Sequence, residues 1–373
     1  MEDLFRSLVQ VSLGKRNSLQ RVPSEDEWHE LFHMASDQAM IGICFGGICR
    51  LYDRQSGLNV RDYYESLNLN RPAYFEWMSM SVKIQDVNAE VKARCLDLSR
   101  RFADDNLEYY ILKGPSIAAL YGPLCDFRQS GDIDVWVPGP QDALMRYAEK
   151  QSGKMPAWDY SHVDCKFFDD VEVELHYRPS FMYNIFTNRW LQRYFERCGT
   201  KGYEDTFNVN GVPVRTVSYE FNILFVLLHI YKHLFNEGVG LRQVMDYYFV
   251  LASRVPDETI KAQWLSDVRS LRIERFASAV MWVMKDWFGL DDDHLLCCAD
   301  EREGRFLISE IMCAGNFGQH DKRDRKAGRN YHIREFKYRI KHLWHLAGHY
   351  PQEFFWSPFW LVWHWAWKRT YRY

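Results

Sequence analysis

The sequence predicts an α+β protein in which a short group of strands lies between two helical regions. Residues 1–106 carry helix caps and apolar faces that recur with the period of a helix. Short segments of alternating polar and apolar residues concentrate within residues 107–217, and helical patterns return in residues 218–373. We therefore expect a helical N-terminal region, a mixed central core and a helical C-terminal domain.

The N-terminal region begins with clear helix signals. Ser24 and Glu27 form the pattern of a capping box, and Pro72 opens a long helix that is predicted to run to about Phe102. Three glycines interrupt the apolar stretch between these helices: Gly42, Gly46 and Gly47. We interpret them as marks of tight helix packing or of a helix end, and not as a nucleotide-binding loop.

The central core opens with an apolar strand at residues 109–112. Gly114, Pro115 and Ser116 follow, and then a short helical stretch. Glycine allows close approach to the backbone, while proline and serine suit a helix start. The free N–H groups at such a start favour a phosphate. The segment therefore predicts a phosphate-binding turn.

Two carboxylates lie in the next strand, residues 131–137. Alternation places Asp132 and Asp134 on one face and the apolar residues between them on the other. Two like charges so close repel each other, unless a cation lies between them, and divalent cations favour carboxylate oxygens. The alternative interpretation is a polar edge strand or a turn at the end of a strand.

A second acidic strand follows at residues 171–176. Glu172 and Glu174 share one face, so either could supply a third carboxylate. A turn joins this strand to a predicted strand at residues 158–168, which gives a hairpin. His162 and His176 are interpreted as structural histidines, although His176 lies two residues from Glu174 on the same face and has an active-site role as its alternative.

The sequence pattern LKG…LYGP…R…GDIDVWV…VELHYRP resembles that of a family of uncharacterised bacterial nucleotidyltransferases in the DNA polymerase β-like superfamily. The resemblance is specific from residue 109 to residue 179 and looser up to about residue 318. It implies a polymerase β-like nucleotidyltransferase core, which is a small mixed sheet flanked by helices. One departure is that Pro115 separates Gly114 from Ser116, where the superfamily has an adjacent Gly-Ser pair.

The resemblance also implies a reaction. A nucleoside monophosphate would move from a nucleoside triphosphate, with ATP as one candidate, to a hydroxyl acceptor, and pyrophosphate would be released. Two Mg²⁺ ions would be bound by Asp132, Asp134 and Glu174, with Glu172 as the substitute for Glu174. Gly114 and Ser116 are expected to cradle the phosphates. Lys113, Arg128 and Lys232 are expected to offset the phosphate charge.

A strongly apolar helix predicted at residues 219–235 carries a polar stripe. The stripe consists of His229, Lys232, His233 and Asn236. We interpret it as a basic face toward the nucleotide cleft, because the family resemblance includes this helix. A solvated helix face is the main alternative, and a zinc pair at His229 and His233, with Glu237 nearby, is a less favoured one.

Three features lie further along the chain. Arg242 and Asp246 form an i, i+4 pair, which indicates either a helix salt bridge or a lining of the acceptor side. Residues 320–341 are basic and are interpreted as a solvated face or as a surface for a polyanion. The tryptophan-rich residues 354–373 predict a docked C-terminal helix, with peripheral membrane contact as the alternative.

Composition narrows the class of protein. The net charge of −3 gives no global attraction to nucleic acid. The nine cysteines lack a Cys-x-x-Cys pair, which indicates reduced thiols and a cytoplasmic location. No window reaches the roughly 18 apolar residues of a membrane span.

The acceptor of the transferred nucleotide stays open between a small molecule, a glycan, a protein and RNA. The alternative functions are a non-catalytic nucleotide sensor and a membrane-surface interaction protein.

Overall fold

The computed structural model describes residues 1–52, 56–199, 204–236, 238–316 and 343–371. Within them, a mixed sheet of six strands lies among helices that precede and follow it along the chain. The predicted α+β class, with a small mixed sheet flanked by helices, is therefore confirmed. The basic residues 320–341 and the predicted metal-ligand alternative Glu237 lie outside the described residues.

Among the described residues, five α-helices form the N-terminal region: α1 (Glu2–Ser12), α2 (Glu25–Asp37), α3 (Ile41–Leu51), α4 (Val60–Ser66) and α5 (Arg71–Asp104). A short helix in the central core, α6 (Pro115–Ala118), comes next along the chain. The capping box before α2 is present, because the Ser24 hydroxyl accepts from the Glu27 amide and the Glu27 carboxylate accepts from the Ser24 amide. Helix α5 is the long helix that Pro72 predicted.

The three glycines of α3 lie inside the helix, where neighbouring segments approach closely. A Cβ atom on Gly42 would lie 2.2 Å from the backbone oxygen of Phe127, and one on Gly47 would lie 2.3 Å from the Ser12 hydroxyl oxygen. Any larger residue would push these neighbours away. The interpretation of these glycines as sites of tight helix packing is confirmed.

The sheet has the strand order β3-β4-β2-β1-β6-β5. Its strands are β1 (Tyr110–Ile111), β2 (Ile133–Trp136), β3 (His162–Asp164), β4 (Val173–His176), β5 (Glu204–Val209) and β6 (Val212–Val217). Strand β2 pairs parallel to β4, and β1 pairs parallel to β6, while the remaining neighbours are antiparallel. The predicted hairpin forms, but β3 is shorter than the predicted strand at residues 158–168.

The two faces of the sheet differ in character. Ile133 and Val135 are fully buried and join an apolar cluster with residues of α5 and of α7 (Gln141–Ser152). Asp134 and Trp136 belong to the opposite face, as strand alternation requires. The β2 strand is therefore buried on both sides, and the carboxylates lie on the face that does not pack against α5 and α7.

Helices α8 (Ile185–Cys198) and α9 (Tyr219–Asn236) pack on that second face, where Phe195 of α8 lies near Trp136. Further along the chain come α10 (Leu241–Ala252), α11 (Glu258–Leu271), α12 (Glu274–Asp286) and α13 (Glu301–Ala314). The Phe221 ring of α9 stacks on Trp136 with the ring centroids 5.3 Å apart. This contact fixes α9 against the strand that carries Asp134.

The tryptophan-rich tail forms a helix, Pro351–Thr370, that docks on the core. Trp360 is 5% exposed and stacks on Phe181 with the centroids 4.9 Å apart, and Lys368 donates to the Trp158 carbonyl at 2.7 Å. The predicted docking of this helix is confirmed. Across the described ranges, no helix has both the length and the apolar content to cross a membrane.

Candidate active site

The three predicted carboxylates converge. Asp134 and Glu174 face each other across the parallel pair of β2 and β4, and Asp132 lies two residues before Asp134. One oxygen from each of the three side chains lies within 4.8 Å of the others. Glu172 is exposed. Within the described residues, it is not part of any group of three side chains whose ligand atoms lie close enough to hold one metal ion. The geometry therefore favours Glu174 over Glu172 as the third carboxylate.

Two basic side chains lie between these carboxylates. The Lys113 ammonium is 3.1 Å from one oxygen of Asp134. His176 Nε2 is 2.9 Å from the other oxygen of Asp134 and 3.2 Å from Glu174 Oε2. From the sequence, His176 was predicted to be a structural histidine, with an active-site role as the alternative. Its spacing of two residues from Glu174 was the signal that indicated the active-site role.

The pKa values follow from this pairing. Burial acts against the ionised form of Asp134, but Lys113 and His176 outweigh it and lower the pKa of the carboxyl. For Glu174, burial is likewise outweighed, chiefly by the His176 hydrogen bond, and the pKa falls to about 2. Both carboxylates are therefore ionised at neutral pH, which is the form that binds a metal ion.

The basic partners respond in the opposite sense. Burial opposes the charge on Lys113, but Asp134, Asp132 and Glu174 together raise its pKa. Burial also opposes the charge on His176, and hydrogen bonds to Asp134 and Glu174 raise its pKa. These two groups offset part of the repulsion among the three carboxylates.

The predicted phosphate turn is adjacent to the carboxylates. Gly114 adopts φ 63° and ψ −115°, a conformation that side chains with a Cβ atom disfavour. A Cβ atom there would meet the backbone oxygen of Asp132 at 3.7 Å. Ser116 is buried, and its hydroxyl donates to the Leu112 carbonyl at 3.1 Å. A phosphate contact of Gly114 or Ser116 stays a prediction.

Arg128 is engaged in a buried ion pair. Its Nε and Nη2 atoms each lie 2.7 Å from an oxygen of Asp246, and the Tyr121 hydroxyl donates to the same carboxylate at 2.7 Å. The predicted i, i+4 pair of Asp246 with Arg242 is therefore replaced by a pair with Arg128. Sequence spacing could not show this, because the two residues are 118 positions apart. A role of Arg128 at phosphates stays a prediction.

Arg242 lies near the carboxylates instead. Its Nη1 donates to the Gln129 carbonyl at 3.3 Å, and its Nε is buried with no hydrogen-bond partner in the described part of the chain. Burial and the charge of Arg128 lower its pKa, while the charges of Asp246 and Asp132 act in the opposite direction. Arg242 is thus a cation whose charge interacts with Asp132 as well as Asp246, and its place on the acceptor side stays a prediction.

The polar stripe of α9 faces the same region. The Lys232 ammonium lies 4.6 Å from the centroid of the Phe181 ring. Burial lowers the pKa of His162 to about 4, and the charges of His176 and Lys232 act in the same direction. The charge of Lys113 acts on His229. The stripe is therefore directed toward the core. Neither His229 nor His233 belongs to a group of close ligand side chains among the described residues, which leaves their zinc pair without support.

Convergent carboxylates beside a glycine turn form the kind of site that supports metal-dependent phosphoryl or nucleotidyl transfer. The chain belongs to the family described as uncharacterised nucleotidyltransferase, whose family model matches residues 24–289. No curated protein sequence matches it. One similar solved structure is an antigenic nucleotidyltransferase-like protein from Paracoccidioides brasiliensis. The two chains share 17% identity with a TM-score of 0.31, over 51% of this chain and 92% of that one.

Proposed function

We propose that the protein transfers a nucleoside monophosphate from a nucleoside triphosphate to a hydroxyl acceptor and releases pyrophosphate. The observation that carries the proposal is the convergence of Asp132, Asp134 and Glu174, with one oxygen of each within 4.8 Å of the others. Membership of a nucleotidyltransferase family supports the reaction class. A cytoplasmic location is part of the proposal, supported by the nine free cysteines.

The donor set fits Mg²⁺. Three carboxylates offer only oxygen atoms, which hard divalent cations prefer. We propose that Asp132, Asp134 and Glu174 hold two such ions, whose chemistry is to neutralise phosphate charge and to fix the attacking and leaving oxygens in line. The depressed pKa values of Asp134 and Glu174 support this role, because both groups are ionised before any metal binds.

The other residues of the site act on the triphosphate and on the acceptor. Lys113, Arg242 and Lys232 offset the negative charge of the phosphates. Glu174 is 30% exposed against 2% for Asp134, so the acceptor hydroxyl approaches from its side. Its carboxylate orients the hydroxyl and receives the proton as the new oxygen–phosphorus bond forms. A weak base suffices, because the transition state of phosphoryl transfer is largely dissociative.

The test is a transfer assay with four α-labelled triphosphates, ATP, GTP, CTP and UTP, in the presence of Mg²⁺ and cell extract. We expect the label to move from one triphosphate to one acceptor, with stoichiometric pyrophosphate. The protein with Asp132→Asn serves as the blank. Triphosphate binding in calorimetry without any pyrophosphate release would instead identify a non-catalytic sensor, and the proposal of transfer would be wrong.

We also propose peripheral contact with an anionic membrane surface through the C-terminal helix. Its outer side leaves Phe355, Phe359 and Val362 exposed by 59%, 59% and 70%, and the Arg369 guanidinium lies 3.6 Å from the centroid of the Trp365 ring. Exposed aromatic side chains beside basic ones are typical of interfacial helices.

Flotation with vesicles tests this contact. We expect the protein to float with vesicles rich in anionic lipid, and less so at high salt. The triple variant Phe355→Ser, Phe359→Ser and Val362→Ser should remain at the bottom, because the exposed apolar area is lost while Trp360 stays docked. Equal flotation of the variant and the wild type would show that this surface is not the contact.

A further inference from the structure

The hairpin of β3 and β4 presents a second group of metal-binding side chains beside the three carboxylates. Strand register pairs His162 with His176 and Asp164 with Glu174. Because residues two apart share a face, all four side chains lie on one face of the hairpin. The proposed function uses only Glu174 of these four as a ligand. His176 pairs with Asp134 and Glu174, and His162 and Asp164 have no assigned role.

The contacts of His162 in this group fit a coordination shell better than a hydrogen-bond network, whereas His176 Nε2 is within hydrogen-bond distance of Glu174. His162 Nε2 lies 3.7 Å from Glu174 Oε2 and 3.6 Å from Asp164 Oδ1, and both distances exceed a hydrogen bond. Ligands about 2.1 Å from a tetrahedral metal ion are about 3.4 Å from one another. One ligand atom each of His162, Glu174 and His176 lies within 4.8 Å of the others. Small side-chain movements would bring them to one ion.

The orientation of His162 adds a second, independent observation. Its Nδ1 lies 3.0 Å from the Ser161 hydroxyl oxygen, which turns Nε2 toward Glu174 and Asp164. Metal-binding histidines are typically held in this manner, with one ring nitrogen fixed by a hydrogen bond and the other directed at the ion. The His162 side chain is 20% exposed, so an ion can reach Nε2 from solvent.

We propose that His162, His176 and Glu174 bind a divalent transition-metal ion of the Zn²⁺ or Co²⁺ class, with Asp164 as the fourth ligand. Imidazole favours these ions, whereas a site of carboxylates alone favours Mg²⁺. The two ion positions of this protein would then differ in chemistry and share Glu174. The ion would take the place of the proton that His176 Nε2 shares with Asp134 and Glu174.

Cobalt binding tests the inference directly. Titration of the metal-free protein with Co²⁺ is expected to produce the visible absorption of a four-coordinate site with nitrogen ligands. His162→Gln should weaken Co²⁺ and Zn²⁺ binding in calorimetry by about 10-fold to 100-fold or more, because the loss of a hydrogen-bond partner of a metal ligand already has an effect of that size. His29→Gln, a change at a half-exposed histidine of α2, is the matched control and should bind as the wild type does.

A second variant keeps the test decisive if His162→Gln folds poorly. His162→Cys retains a ligand for Co²⁺, so we expect a new thiolate-to-cobalt absorption band. Co²⁺ binding with equal affinity in His162→Gln and wild type, or Co²⁺ bound to His162→Cys without that band, would overturn the inference.

The inference rests on the proposed function only through the shared Glu174, and the two can fail separately. Asp132→Asn should reduce Mg²⁺ binding and leave the Co²⁺ spectrum unchanged, because Asp132 is not one of the proposed ligands of the transition-metal ion. If the protein transfers nucleotides but binds Co²⁺ independently of His162, the inference fails and the proposed function holds. If the Co²⁺ spectrum depends on His162 but the protein transfers no nucleotide, the proposed function fails and the inference holds.

Discussion

Replacing Asp132 by asparagine is expected to lower nucleotide transfer by about 10³-fold or more, equivalent to about 4 kcal/mol of transition-state stabilisation. The amide keeps the size of the side chain but removes the charge that binds the metal. Asp132 is only half-buried. The free energy of unfolding should therefore stay within about 0.5 kcal/mol of the wild type. Single-turnover transfer and urea unfolding measure the two quantities.

Asp134→Asn is expected to lower both transfer and stability. It should abolish transfer equally, but it also leaves Lys113 and His176 without a full counter-charge at a residue that is 2% exposed. We expect a loss of about 1–3 kcal/mol in unfolding free energy, the range for an unsatisfied buried polar group. Glu172→Gln is the matched control for a carboxylate of the same strand region, and it should retain activity. Wild-type transfer by Asp132→Asn would contradict the assignment of this site.

Replacing Arg128 by methionine is expected to destabilise the protein by about 3–5 kcal/mol, because the change leaves the buried charge of Asp246 unpaired. Asp246 is 4% exposed, and the guanidinium supplies two of its hydrogen bonds at 2.7 Å. Tyr121 keeps its own hydrogen bond to the carboxylate but cannot neutralise it. Urea unfolding at neutral pH measures the loss.

The double variant Arg128→Met and Asp246→Leu tests the reason for this loss. With both charges removed, neither member of the pair is left without its partner, so part of the stability should return. The recovery is expected to be incomplete, because the charge of Asp246 also favours the ionised form of Arg242. A double-mutant cycle therefore gives a large coupling free energy between the two positions. If Arg128→Met unfolded within about 0.5 kcal/mol of the wild type, the ion pair would not hold α10 against the segment before β2.

Local patterns predicted most of the elements. The Ser24–Glu27 capping box and Pro72 predicted helix starts correctly, because the determinants of a cap lie within a few residues of one another. Alternation predicted that Asp132 and Asp134 share a face with each other and not with Ile133, and Glu174 with Glu172 likewise. The strand at residues 158–168 was predicted too long, since only His162–Asp164 pair with β4 in a regular ladder.

Partners distant in sequence escaped these patterns. Arg242 and Asp246 have the spacing of a helix salt bridge, yet the carboxylate pairs with Arg128, whose bidentate geometry and burial depend on how α10 meets the core. Lys113 follows β1 and His176 lies in β4, on opposite sides of β2 in the sheet order. Only the tertiary structure brings both to Asp134, where they offset part of the repulsion among the carboxylates.

The sequence by itself determined the helical and strand segments, the shared face of Asp132 and Asp134, and the resemblance to nucleotidyltransferases. These depend on residues close in the chain or on a contiguous motif. Only the tertiary structure decided that Glu174 rather than Glu172 joins the carboxylates, and that His162 and His176 stand beside it. The physical reason is strand register: the pairing of β2 with β4 and of β4 with β3 fixes which side chains meet, and no local pattern encodes it.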